Sequence, residues 1–148
     1  MNRGRFFDQL AERYRDAALL GARVLVAILF LPSGFNKLTH FDGFAQSLAQ
    51  RGLPLATLWA APAVAIEFLG AICMLLGFQL RAVALAMAVF TVATAIIGHP
   101  FWSVDAATYS SQYINFMKNL AIMGGFLALF VAGPGRWSLD QAVSGGRQ

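Results

Sequence analysis

Residues 57–78, TLWAAPAVAIEFLGAICMLLGF, decide the class of this protein. The stretch has about the 20 residues that cross a hydrocarbon core as an α-helix. Glu67 is its only charged residue. A charged side chain near the centre of a bilayer costs at least ~2.5–3.5 kcal/mol on insertion scales. Glu67 therefore needs a partner inside the protein and is a candidate functional residue.

Three further stretches are long and apolar: residues 17–35, 81–98 and 114–132. Hydrophobic residues make up 58% of the 148 residues and charged residues 12%, whereas soluble domains carry about 25% charged residues. A chain of this length has room for one domain. We therefore predict an all-α polytopic membrane protein, a four-transmembrane-helix bundle over residues 17–135 with short amphipathic surface helices.

The distribution of positive charge predicts the orientation of the bundle. If the four spans alternate in direction, one side receives most of the arginines: Arg3, Arg5, Arg13, Arg15, Arg81, Arg136 and Arg147. The other side receives only Lys37 and Arg51. By the positive-inside rule both termini are cytoplasmic, with residues 1–16 as an amphipathic lead and residues 136–148 as a tail. The net charge of +4 is explained by this asymmetry, so we expect membrane lipid and no nucleic acid as a partner.

Two segments outside the spans have the spacing of amphipathic helices. In the lead, Phe6, Phe7, Leu10 and Tyr14 recur at helical spacing among arginines and acids. This pattern predicts a helix lying on the cytoplasmic face. Residues 41–51 place apolar side chains at i, i+3, i+4 and i+7, which predicts a short helix on the outer surface.

Two cations bracket the first span. Arg23 and Lys37 are fourteen residues apart, which is two heptads, so they lie roughly on one helix face and ~21 Å apart. Glu67 lies ~15 Å into the second span, near the midplane. We therefore expect Arg23 to approach Glu67 from the inner side and Lys37 to approach it from the outer side.

The fourth span carries a polar face in its outer third. Asn115, Lys118, Asn119 and Ile122 follow the i, i+3, i+4, i+7 pattern of one helix face. Lipid cannot satisfy these polar groups, so this face should point into the bundle. The buried network we predict contains Arg23, Lys37, Glu67, Lys118 and Asn119, with outer-side contributions from Asn36, His99, Trp102 and Asn115.

Such a network has two interpretations. Intramembrane ionisable residues mark ligand, ion or proton sites in many membrane proteins. A Glu paired with a Lys or Arg can equally serve to fix helix register. The sequence leaves both interpretations open.

Metal, haem and dithiol chemistry have little support. The single cysteine, Cys73, lies inside the second span, so the chain has no dithiol of its own. His40 and His99 both fall on the outer side and two imidazoles can ligate haem iron, but no metal-ligand spacing accompanies them. Hydrolase and nucleotide-binding signatures are absent from the sequence. We therefore predict no metal and no cofactor within this chain.

Three sets of motifs appear in a fixed order along residues 17–140. The first is Arg23 to Phe30 followed by Ser-Gly-Phe-Asn-Lys-Leu at 33–38, and the second is Glu-Phe-Leu-Gly at 67–70 followed by Leu76-Gly77 and Arg81. The third is Asn-Phe-Met-Lys-Asn-Leu-Ala-Ile-Met-Gly-Gly at 115–125, then Gly-Pro-Gly at 133–135 and Ser-Leu-Asp at 138–140, with His99 and Trp102 between the second and third sets. In this order the chain resembles the DoxX family of small bacterial membrane proteins.

The resemblance implies a four-helix protein of the bacterial inner membrane. Related members are linked to thiosulfate:quinone oxidoreductase and to membrane-associated oxidoreductase complexes. Most members have no established reaction, and fold-level analogy does not supply a mechanism.

Our leading hypothesis is a membrane subunit or anchor of an oxidoreductase, with a quinone headgroup in the polar pocket and a partner subunit carrying the electrons. Whether the chain takes part in an enzyme is left open, because it has no self-contained catalytic motif. The alternatives are a structural or assembly protein whose charges only set helix packing, and a small-solute or proton pathway. Small residues such as Gly70, Gly77, Gly124 and Gly125 permit close helix contact within the bundle or between copies of the chain.

Overall fold

A computed structural model describes residues 3–145 of the chain, with side chains from residue 5. The helices of this part are α1 Arg3–Thr39, α2 Phe41–Gln50, α3 Ala56–Leu76, α4 Leu80–Gly98, α5 Ala106–Ala132 and α6 Leu139–Gly145, with a short 3-10 turn at Phe101–Ser103. Four of them, α1, α3, α4 and α5, are long and apolar enough to cross a membrane. The prediction of an all-α, four-span bundle is confirmed. Arg147, used above to predict orientation, lies outside the described residues.

The four long helices pack in the order α1, α3, α4, α5. Helix α1 packs on α3, α3 on α4 and α4 on α5, whereas α1 and α5 contact each other little. Phe30 of α1 and Phe126 of α5 are in contact across the gap between these two helices, with ring centroids 5.7 Å apart. Both rings belong to the apolar core, which is centred on α3 and α4. A groove between α1 and α5 therefore remains on the side of Phe30 that faces α2.

The bundle has two different ends. The N-terminal part of α1, the α3–α4 turn and the tail after α5 lie at one end, which we call the terminal end. Helix α2 and the connection from α4 to α5 lie at the other, the loop end. At the loop end, the Arg51 guanidinium donates to the carbonyl of Gly98, the last residue of α4, at 2.7 Å.

Helix α1 is longer than the predicted first span. It continues without a break through the residues that we predicted as a separate surface helix. Charged residues such as Arg13 and Arg15 are good helix formers, and the lead contains no proline, so nothing ends the helix there. At 1.5 Å per residue, α1 is ~55 Å long, against ~30 Å for the hydrocarbon core.

Helix α5 also begins before its apolar stretch. Asp105 caps it, with the carboxylate accepting from the Thr108 hydroxyl at 2.7 Å and from the Thr108 backbone N–H at 2.9 Å. These hydrogen bonds lower the pKa of the Asp105 carboxyl. The cap therefore stays charged at neutral pH and starts the helix in a polar segment that hydropathy assigns to a loop.

The tail after α5 is bound to the terminal end rather than trailing from it. The carboxylate of Asp140 accepts from the backbone N–H groups of Gln79 at 2.7 Å and Leu80 at 2.9 Å, and so caps the start of α4. The backbone N–H of Asp140 donates to the carbonyl of Gly77 at 3.0 Å. Gly77 itself has a φ of 64° and ends α3, the glycine stop that its position predicts.

Helices α1 and α3 approach most closely at Gly34. A Cβ added at Gly34 would lie 2.9 Å from the backbone Cα of Phe68. A backbone atom cannot rotate away as the end of a side chain can. The absence of a side chain at Gly34 therefore sets the distance between the two helices.

We expect Gly34→Ala to lower the free energy of unfolding by about 1–3 kcal/mol, because overpacking forces α1 and α3 apart. Thermal unfolding in detergent measures this effect. The matched control is Gly124→Ala, where an added Cβ meets nothing within 4 Å and the higher helix propensity of alanine should slightly raise stability. Equal melting temperatures for the two variants would contradict the close-contact argument.

We also expect Asp140→Ala to cost about 0.5–2 kcal/mol, the usual range for loss of an N-cap. The control is Gln141→Ala, a change at the exposed neighbouring residue. Hydrogen exchange at the amides of Gln79 and Leu80 should rise in the Asp140 variant alone. Unchanged protection of those amides would show that the tail does not cap α4.

Candidate functional site

An ion pair joins α1 to α3 near the loop end. The Lys37 ammonium lies 2.5 Å from Oε2 of Glu67. The Glu67 side chain is 2% exposed and the Lys37 side chain 26% exposed. The Lys37 ammonium also lies 5.3 Å from the ring centroid of Phe44 in α2, within cation–π range. The acid in the apolar span thus has the partner that its insertion cost requires.

The close contact at Gly34 explains how this pair forms. Lys37 follows Gly34 by about one helical turn, and Glu67 directly precedes Phe68. Because the two backbones touch between Gly34 and Phe68, the lysine stem can reach the carboxylate across the interface. Helix packing and ion pairing therefore support each other at one point.

A cavity of about 210 Å³ lies beside the ion pair, in the groove between α1 and α5. All four long helices contribute to it, together with His99 at the end of α4. Its lining residues are Leu29, Phe30, Ser33, Lys37, Glu67, Phe90, Thr91, Thr94, His99, Lys118, Asn119 and Ile122. Apolar side chains thus form part of the wall, and charged and hydrogen-bonding side chains form the rest.

The polar groups from α4 were missed by our sequence analysis. Thr91 and Thr94 donate their hydroxyl protons to the carbonyls of Met87 at 2.7 Å and Phe90 at 2.8 Å. Their oxygens are therefore left as acceptors. Two threonines three residues apart in an otherwise apolar span are the signal that could have identified them.

His99 is oriented by α5. Its Nδ1 lies 2.9 Å from Oε1 of Gln112. With the amide oxygen as the acceptor, Nδ1 is the donor of this hydrogen bond. Gln112 was also missed, because a single glutamine in a polar segment carries no distinctive pattern.

Lys118 is the second cation of the cavity and is not part of the ion pair. Its ammonium donates to Oδ1 of Asn115 at 2.8 Å, and the Asn115 amide donates to the carbonyl of Ser111 at 2.9 Å. Asn119 lies one residue further along α5 and also lines the cavity. Helix α5 therefore supplies a positive charge and an amide to the same space.

The structure brings together most of the residues that the sequence predicted. Lys37, Glu67, Lys118, Asn119 and His99 all line the cavity. Three other predicted contributors are not among its lining residues: Asn36, Trp102 and Asn115. Trp102 packs instead on the rings of Phe101 and Phe116.

Arg23 does not approach Glu67, contrary to our expectation. It is 1% exposed and donates to the carbonyl of Trp137 in the tail. Its guanidinium lies against Gly77, ten residues or ~15 Å along α3 from Glu67. The interval between Arg23 and Lys37 on α1 is too long for both to reach one carboxylate. Arg23 holds the tail at the terminal end and is not part of the cavity.

The DoxX family model matches residues 18–100, which include Lys37, Glu67 and His99. The chain belongs to the DoxX family. It is 41% identical to the inner membrane protein YphA of Escherichia coli K12 over 95% of this chain and 99% of that protein. It is 35% identical to the inner membrane protein YqjF of the same organism, over 90% of this chain and 97% of that protein.

A more distant relative is the uncharacterized membrane protein Rv3486 of Mycobacterium tuberculosis, at 26% identity over 82% of this chain and 78% of that protein. No solved structure matches the chain. With four apolar spans and relatives that are named inner membrane proteins, this chain is an integral membrane protein of the DoxX family.

We expect Lys37→Met to lower stability by up to about 3–5 kcal/mol, because it leaves the buried Glu67 carboxylate without a counter-charge. Unfolding in detergent measures the loss. A second change, Glu67→Met, in the Lys37→Met background should restore much of the stability, since both charges are then gone.

The matched control is Lys118→Met, which removes a cation of the same cavity that is exposed and unpaired with any acid among residues 5–145. It should change stability little. A Lys37→Met variant as stable as Lys118→Met would contradict the proposed role of the ion pair.

Proposed function

We propose that this DoxX-family chain is the membrane subunit of an oxidoreductase and that its cavity binds the headgroup of a quinone. The observation that carries the proposal is the composition of the groove between α1 and α5. The groove is lined by the apolar side chains of Phe30, Phe90 and Ile122 and by the donors Lys37 from α1 and Lys118 and Asn119 from α5. This is the arrangement that suits a flat ring with carbonyl oxygens on opposite sides.

The size and position of the cavity support a membrane-dissolved ligand. A cavity of about 150 Å³ is enough for benzene, and this one is about 210 Å³. It lies where α1 and α5 contact each other little, so a ring can enter sideways from the bilayer while an isoprenoid tail stays in lipid.

In this proposal four polar residues of the cavity have defined roles. Lys118 and Asn119 donate hydrogen bonds to one carbonyl oxygen of the quinone. Glu67 exchanges a proton, and Lys37 stabilises its ionised form at 2.5 Å. Conversion of a quinone to a quinol takes two electrons and two protons, and Glu67 passes the two protons one after the other, taking each from water at the loop end. The electrons come from the redox centre of a partner oxidoreductase subunit.

The distribution of arginines supports an orientation for this subunit. Arg15, Arg23 and Arg81 lie at the terminal end, and Lys37 and Arg51 at the loop end. By the positive-inside rule the terminal end faces the cytoplasm. The cavity then lies in the outer half of the inner membrane.

A second candidate function is structural, and the contact at Gly34 favours it. In this second proposal the ion pair, which lies beside the contact, fixes the register of α1 on α3. In that case the cavity is a by-product of packing. Ligand binding distinguishes the two candidates.

We expect a short-chain benzoquinone to bind the protein in lipid nanodiscs and Asn119→Leu to weaken binding about tenfold, the effect of losing one hydrogen bond of ~1.4 kcal/mol. Titration calorimetry measures the dissociation constant. The matched control is Asn36→Leu, a change at an exposed asparagine that does not line the cavity.

The redox part of the proposal has a separate test. Gentle extraction from native membranes should yield the chain with an oxidoreductase partner and quinone-dependent turnover. Full turnover in a Glu67→Gln, Lys118→Met double variant would contradict the proposal. An absence of quinone binding in nanodiscs would favour the structural function.

A further inference from the structure

Helix α1 carries an exposed apolar face along almost its whole length. Every residue from 5 to 15 is exposed, including Phe6, Phe7, Leu10 and Tyr14. The same face continues through Ile28 to Phe35, which are also exposed. A different side of α1 faces the rest of the bundle, and on that side Arg23 and Phe30 are buried.

This face has the repeat of a coiled coil. Ten apolar or small residues occupy the a and d positions of five consecutive heptads: Phe7, Leu10, Tyr14, Ala17, Gly21, Val24, Ile28, Leu31, Phe35 and Leu38. We call this set the α1 seam. Eight of its members are exposed, and Val24 and Leu31 are half-buried. A strict seven-residue repeat is the pattern that two helices need to wind around each other.

Lipid cannot cover the first part of the α1 seam. The Arg15 guanidinium donates to the carbonyl of Ala132, the last residue of α5, at 2.9 Å, so Arg15 is level with the end of that span. Phe7 lies eight residues earlier, ~12 Å beyond this level. The headgroup layer adds only ~5–8 Å on each side of the hydrocarbon core. Phe7 therefore projects past the membrane, where only protein can bury it.

The partner must match the α1 seam both outside and inside the bilayer. It has to present an apolar helix face that runs ~47 Å from Phe7 to Leu38 without a break. Helix α1 of a second copy supplies such a face. Where the α1 seam enters the membrane its residues are small, Ala17 and Gly21. A Cβ added at Gly21 would meet nothing within 4 Å. Small residues at this depth let two backbones approach closely.

We propose that two copies of the chain form a parallel dimer along the α1 seam. Copies of a membrane protein insert in one orientation, so a twofold axis along the membrane normal relates them and each seam residue lies beside its own counterpart. Ser33 and Lys37 line the cavity and are not seam residues, so the dimer leaves the groove between α1 and α5 open. This inference is independent of what the cavity binds.

Cysteine cross-linking in native membranes tests the dimer directly, because Cys73 is the only cysteine of the chain. In a Cys73→Ala background, Leu10→Cys and Ile28→Cys each place a thiol in the α1 seam, one in the headgroup layer at the terminal end and one inside the hydrocarbon core. Mild copper-phenanthroline oxidation should convert most of each variant to a disulfide-linked dimer on a non-reducing gel.

The matched control is Glu12→Cys, at the heptad position opposite the seam, where we expect at least about fivefold less dimer. Equal cross-linking of Glu12→Cys and Leu10→Cys would overturn the proposal, as would no dimer for Leu10→Cys with normal expression. A cross-linked product with the mass of another protein would also overturn it. As a second measurement, Leu10→Glu should shift the protein in nanodiscs from dimer to monomer without lowering its melting temperature.

Discussion

The rest of the bundle depends on the neutralisation of Glu67 by Lys37. An ionised carboxylate inside a bilayer is stable only with a counter-charge from the protein itself. Lys37 provides this charge at 2.5 Å, and it can do so because Gly34 lets α1 touch the backbone of α3. One acid, one base and one glycine therefore determine how the first two spans pack. Among residues 5–145, Lys118 has no acidic partner and lies beside the same cavity.

Arginine side chains bind the ends of the helices together. The last carbonyl groups of a helix have no partner within it, and guanidinium groups are well suited to fill that need. Arg15 and Arg81 donate to carbonyls in the last turn of α5, and Arg51 donates to the last carbonyl of α4. Arg15 joins α1 to α5 at the terminal end only. This hydrogen bond lies at the end of the bundle away from Lys37 and the cavity.

The sequence predicted the class of fold and much of the site, but not their limits. For α4 the apolar stretch and the helix coincide. For α1 and α5 the helix extends beyond the apolar stretch, because a helix with a polar end does not stop where hydropathy falls. Thr91 and Gln112 were also missed, because their roles depend on tertiary contacts. Thr91 lines the cavity and Gln112 is hydrogen-bonded to His99. Arg23 was assigned to Glu67 but donates to the carbonyl of Trp137, since spacing along one helix does not reveal which neighbour each residue meets.

Apolar stretches, one intramembrane acid and the arginine bias are properties of the chain itself, because the bilayer acts on each span independently of the others. They were enough to determine four helices and the need of Glu67 for a cation. Only the tertiary structure decided which cation it would be, that the tail would cap α4, and that α1 and α5 would leave a groove. Those outcomes depend on contacts between residues far apart in sequence, and such contacts are set by which backbones can approach closely enough to touch.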